Sequence, residues 1–175
     1  PRAASHNGAL PLRRRASEAP VKEMVVRIPW PGRREICVAG SAGQHVRSAV
    51  GIIGEIAVAG GLYAAQQDDF PITVRRGFSI SNLIVSNEPI RYTGLDSPDT
   101  VVILSSDGLA RFGPLSHLKP SSLVVAPADM PLADAASSVH TLDLKMLERR
   151  AGKESVALAA LTYALINAGR VSAAS

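Results

Sequence analysis

From residue 35 onward the chain alternates short apolar runs with longer stretches of helical period. Glu35–Ala39 is a compact apolar run and predicts a buried strand. Gly40–Gln44 reads as a turn. Val46–Gly60 then carries Val46, Val50, Ile53, Ile56 and Ala57 at helical spacing, which predicts one apolar helix face. Gly60-Gly61 stops that helix. Leu62–Gln67 predicts a second strand, so the order is strand, turn, helix, strand.

The alternation continues. Asp68–Gly77 reads as a polar loop holding Asp68, Asp69, Pro71, Arg75 and Arg76. Phe78–Ser86 has a mixed strand pattern and could pair antiparallel at a sheet edge. Val101–Leu104 and Leu123–Ala126 are fully apolar, the signature of central parallel strands. Asp107–Phe112 predicts a short helix or turn, Val139–Leu142 a short strand, and Asp143–Arg150 a helical turn or two. Glu154–Ala168 predicts a second long helix, capped by Gly169. This order predicts a three-layer α/β/α sandwich with a mainly parallel sheet over residues 35–175.

Residues 1–34 are different. They contain five prolines, two glycines and the Arg13–Arg15 cluster, and no period survives in them. Met24–Ile28 is a short apolar run ended by Pro29 and Pro31. The expectation is an extended basic N-terminal arm. Two readings of it stay open: a floppy tail, or a strap anchored on a partner subunit by Met24, Val25, Val26, Ile28 and Trp30. The sequence begins with Pro1 rather than Met, so the chain is expected to be trimmed or to start late.

Charge follows the same division. The net charge is +4. Residues 1–34 hold eight Lys/Arg against two Glu, a balance of +6. Residues 35–175 hold eleven Lys/Arg against thirteen Asp/Glu, a balance of −2. The basic character therefore belongs to the arm, and the folded body lacks the positive face that nucleic acid requires. No apolar run is long enough to span a membrane, and the arm lacks the apolar core of a secretory signal; the expectation is a cytoplasmic protein. A single cysteine, Cys37, leaves no disulfide framework and no all-cysteine iron–sulfur or zinc site within the chain. Cys37 itself reads as an inert core residue, and His45 as a surface or interface histidine.

The turn after the first strand is where chemistry would be sought, because a helix N-terminus beside a strand's carboxyl end offers free N–H groups. Gly40 is read as allowing a sharp turn, and Gly43 as allowing close backbone approach of a ligand or neighbouring chain. The pattern is Gly-x-x-Gly. It lacks the Gly-x-Gly-x-x-Gly of a dinucleotide fold and the Lys-Ser/Thr end of a phosphate-cradling loop. Gln44 could offer its amide to a partner or cofactor. A tight connection with no ligand is the other reading.

Taken in order, the motifs resemble the gamma subunit, or gamma domain, of 2-oxoacid:acceptor oxidoreductases. The residues carrying the likeness are Ala39-Gly40-Ser41-Ala42-Gly43-Gln44-His45-Val46, Gly61-Leu62-Tyr63, Arg75-Arg76-Gly77-Phe78, Ser86-Asn87-Glu88-Pro89-Ile90, the strand within Asp99–Ser105 and the helix Ala157–Asn167. Ala42, His45 and Phe78 stand where the family has glycine.

The resemblance implies a non-catalytic subunit of a complex that oxidatively decarboxylates a 2-oxoacid to its acyl-CoA. Thiamine diphosphate and iron–sulfur clusters would sit in partner subunits: thiamine-binding alpha and beta chains, a ferredoxin-like chain, and in some complexes a flavin (FAD) subunit linked to NAD. Gly40, Ser41, Ala42, Gly43, Gln44, Arg75 and Arg76 are the candidate contacts, to coenzyme A or to a neighbouring subunit. The two arginines suit phosphate or carboxylate groups. They could equally pair with a neighbour's acids or with Asp68 and Asp69. Two further readings remain: a free-standing nucleotide- or coenzyme-binding module, and a purely structural assembly subunit.

Overall fold

The computed structural model describes residues 32–71, 77–132 and 138–169. The chain forms β1 (Arg34–Ser41), α1 (Val46–Ala59), β2 (Tyr63–Asp69), β3 (Phe78–Ser86), β4 (Thr100–Ile103), α2 (Ser106–Phe112), β5 (Leu123–Pro127), β6 (Ser138–Leu142), α3 (Leu144–Ala151) and α4 (Val156–Asn167). Met24–Ile28, Arg75 and Arg76 lie outside the described residues.

One sheet holds all six strands in the order β2-β3-β1-β4-β5-β6. β1, β4, β5 and β6 run parallel, whereas β3 is antiparallel to both β1 and β2. The mainly parallel α/β expectation therefore holds, but one placement does not. β3 is not an edge strand. It lies between β2 and β1, so the strand–helix–strand unit is split and β2 forms the edge. The reason is visible in β3 itself: Leu83, Ile84 and Val85 are each buried to 1% exposure or less, which an edge strand would not require.

The sheet's two faces follow from strand alternation. On one face Ile36, Val38, Leu83, Val85, Val102 and Val125 pack under α1 and α4. On the other, Cys37, Ala39, Ile80, Val101, Ile103, Val124 and Ala126 pack with Leu115 and Leu118. α2 lies on this second face, where a Cβ on Gly108 would meet the Ala39 carbonyl carbon at 2.5 Å. Of the predicted α1 face, Val46, Val50 and Ala57 are buried, but Ile56 turns outward at 43% exposure.

α1 follows β1 onto one face and α2 follows β4 onto the other. β1 and β4 are parallel neighbours, with the strands that follow β1 added on one side and those that follow β4 on the other, so the strand order reverses between them. In open α/β sheets that point leaves a crevice beyond the strands' carboxyl ends.

Candidate functional site at the carboxyl ends of the strands

The crevice is built from two chain turns, one after β1 and one after β4. Strand β1 runs further than its sequence suggests, so Gly40 and Ser41 are strand residues and the turn proper is Ala42–Gln44. Gly40 has ordinary strand backbone rather than a positive φ. Its value is space: a Cβ there would stand 2.5 Å from Gln44 Oε1 and 3.1 Å from Val46 Cγ2. Gly43 does need its freedom, at φ +87°, and the space beside it is open.

Gln44 fills the room that Gly40 leaves. Its Oε1 accepts from the Ser41 N–H at 2.7 Å, and its Nε2 donates to the Leu104 carbonyl at 3.4 Å. The amide thus ties the turn after β1 to the end of β4, and both of its ends are used within the fold. His45 follows at φ 56°, the one non-glycine residue in left-handed backbone among those described, with its side chain exposed.

Ser41 makes the second tie. Its Oγ bonds Ser105 Oγ at 2.8 Å and donates to Asp107 Oδ2 at 3.0 Å. Ser105 Oγ in turn accepts from the Gly108 N–H at 3.2 Å and caps α2. Ser105, Asp107 and Gly108 are absent from the sequence-level candidates. They meet the turn across more than sixty residues of chain, and only the Ser-x-x-Gly capping pattern marks them locally.

On the β3 side, the Ala42 N–H donates to the Gly77 carbonyl at 2.8 Å. Gly77 has φ +111°, and a Cβ on it would stand 3.0 Å from Pro71 Cγ. The two ends of the intervening loop are therefore close together and abut the turn. Asp68 and Asp69 fall in strand β2 rather than in the loop. Asp68 pairs with Arg47 Nε at 3.0 Å, and Asp69 accepts from Arg111 Nε at 3.1 Å. The Arg111 guanidinium also lies 5.0 Å from the centre of the Phe78 ring.

On the β5 and β6 side the crevice opens into a cavity of about 690 Å³. Leu104, Pro127 and Leu142 give it an apolar floor, and Asp129, Asp143 and Lys145 bring charge to it. Asp143 also caps α3, accepting from the Met146 N–H at 2.9 Å.

Beneath the crevice Cys37 is 1% exposed, and burial pushes its thiol up to about 12. It is a core residue and no nucleophile. Among the described residues no three His, Cys, Asp or Glu side chains are grouped to hold a metal. No helix among them is long and apolar enough to cross a membrane.

Sequence comparison decides the family. The model of the pyruvate ferredoxin/flavodoxin oxidoreductase family matches residues 35–174. The chain belongs to that family. Among curated proteins, subunit KorC of 2-oxoglutarate synthase from Methanothermobacter marburgensis is 33% identical over 99 residues, covering 56% of this chain and 52% of that subunit. KorC from Methanothermobacter thermautotrophicus is 32% identical over 99 residues, 56% of this chain and 51% of that one. The chain thus spans about half the length of the curated relatives it matches.

Solved structures agree on the fold of this family member. The gamma subunit of a keto/oxoacid ferredoxin oxidoreductase from Geobacter sulfurreducens superposes with a TM-score of 0.67 at 25% identity, over 81% of this chain and 79% of that one. The 2-oxoglutarate:ferredoxin oxidoreductase of Magnetococcus marinus, whose structure holds 2-oxoglutarate, coenzyme A and succinyl-CoA, gives 0.66 at 17% identity, over 75% of this chain and 24% of that one. Subunit PORC of the Thermotoga maritima pyruvate oxidoreductase gives 0.64 at 16%, over 81% and 79%. The gamma-type resemblance read from the motifs is thereby borne out.

Proposed function

We propose that this chain is the gamma subunit of a complex that oxidises a 2-oxoacid and passes the electrons to a ferredoxin-type acceptor. It supports the reaction and performs no chemical step itself. Thiamine diphosphate and the iron–sulfur clusters belong to partner subunits: the chain's single cysteine is a buried core thiol, so its own donor set does not fit a cluster.

The observation that carries the reading is the 2.8 Å bond from Ala42 to Gly77. Arg76 and Arg75 are the two residues immediately before Gly77. We infer that Gly40, Ser41, Ala42, Gly43 and Gln44 form a mouth for coenzyme A, to which Arg75 and Arg76, adjacent to Gly77 in the sequence, bring the charge that its phosphate groups need. Within it Gln44 and Ser41 act as braces, and the open backbone at Ala42–Gly43 is the surface on offer. The Magnetococcus enzyme, which contains the same fold, holds coenzyme A.

The test is kinetic. In the complex reassembled with its partner subunits, Arg75→Ala and Arg76→Ala are expected to raise KM for coenzyme A with kcat little changed. An unchanged KM combined with lost assembly would overturn the coenzyme role and assign the arginines to a subunit interface.

A further inference from the structure

We propose that two copies of this chain join through β2, edge to edge and antiparallel, into one continuous sheet. The inference is independent of the subunit reading. Among the described residues β2 pairs with β3 alone. Its other side carries N–H and C=O groups that no described strand pairs, and edge strands normally guard such groups with charge, proline or a bulge. β2 has no proline and no lysine. Its two carboxylates are drawn away from the edge onto opposite faces, Asp68 to Arg47 and Asp69 to Arg111.

Helix α1 supplies the reason that the occupant is a second copy. Arg47, Gly51 and Glu55 follow one another at one-turn spacing, and with Gln66 they line one hollow of about 460 Å³ beside the edge. Gln66 is the middle residue of β2. A Cβ on Gly51 would stand 3.4 Å from Gln66 Oε1, so Gly51 sits at the level of the strand's midpoint. A two-fold axis through Gln66 then brings Gly51 opposite the copy's Gly51. Arg47 and Glu55 lie one turn to either side, so each Arg47 faces the copy's Glu55.

Arg47 pairs with Asp68 through Nε, and its side chain stays 73% exposed. Glu55 makes no salt bridge among the described residues. The same axis sets the acidic end of each β2 against the uncharged end of the other, Asp69 across from the copy's Tyr63.

Sedimentation equilibrium on the full chain tests this directly. The chain is expected to be a dimer. Glu55→Arg and Arg47→Glu each place like charges across the axis, so each alone is expected to weaken the dimer by about tenfold or more. An equimolar mixture of the two variants restores opposite charges at both contacts and is expected to form a heterodimer. Gln66→Cys is expected to form an intermolecular disulfide on mild oxidation, because opposed Cα atoms in antiparallel strands lie about 4.5–5.5 Å apart. Cys37, at 1% exposure, does not compete. A wild-type chain that stays monomeric, a mixture no tighter than either variant alone, or a Gln66→Cys chain that does not cross-link would each overturn the proposal.

Discussion

Gly108 of α2 stands against the backbone of Ala39 so closely that a Cβ would lie 2.5 Å from the Ala39 carbonyl carbon and 2.5 Å from the Gly40 nitrogen. This contact seats α2 on β1 and brings Ser105 and Asp107 to Ser41. In an exposed helix Gly→Ala gains about 1 kcal/mol from propensity. Here the added methyl meets backbone that cannot move aside, and overpacking of that kind costs about 1–3 kcal/mol. Gly108→Ala is therefore expected to destabilise the fold, read as a lower urea midpoint at unchanged slope. A raised midpoint would show that α2 is loosely seated.

Gly40 and Gln44 form a coupled pair. Gly40→Ala pushes a methyl into Gln44 Oε1, and Gln44→Ala strips partners from the Ser41 N–H and the Leu104 carbonyl. Each single change is expected to cost about 1–3 kcal/mol. The double variant should cost clearly less than the sum, because the alanine at 40 then occupies vacated space. Additive costs in a urea double-mutant cycle would contradict the brace assigned to Gln44.

His45 carries a strained backbone at φ 56°. Left-handed geometry costs an L-residue about 1–2 kcal/mol, and glycine escapes that cost while losing part of the gain through its more flexible unfolded chain. His45→Gly is expected to raise stability modestly, by up to about 1 kcal/mol, and His45→Val to lower it. Thermal unfolding of both variants gives the sign.

The elements were largely legible in the sequence, because apolar spacing reports which faces are buried. Val46–Ala59 and Val156–Asn167 came out within a residue or two of their predicted ends. The position of β3 was not legible. Ser81 and Asn82 interrupt its apolar pattern, as they would in an edge strand, yet Ser81 is buried and donates to Asp68 Oδ1 at 2.6 Å. A polar residue satisfied across a strand pair looks the same in sequence as one facing water. The crevice was half legible. Gly40–Gln44 stood out as a turn, but its partners Ser105, Asp107 and Leu104 reach it only through sheet order. Gln44 likewise reads as a free amide until the Leu104 carbonyl is placed beside it.

Burial of Cys37 gives a pH dependence of definite sign. The thiol is raised from 9.0 to about 12 in the folded state, so the unfolded chain releases its proton first. The contribution of this group is fully present below pH 9 and is lost progressively as pH rises towards 12. The slope is about 1.4 kcal/mol per pH unit over that window. Cys37→Ala is expected to flatten the alkaline decline in stability relative to wild type, measured by urea unfolding at successive pH values. Equal slopes would contradict the buried neutral thiol.

The central claim is that this chain works as one subunit of an oxidoreductase complex. Co-expression with the thiamine-binding and ferredoxin-like subunits, followed by purification through a tag on this chain, tests it most directly. The predicted result is a brown complex that reduces ferredoxin in the presence of a 2-oxoacid and coenzyme A. Recovery of this chain without those partners, while they assemble into an active enzyme on their own, would contradict the account.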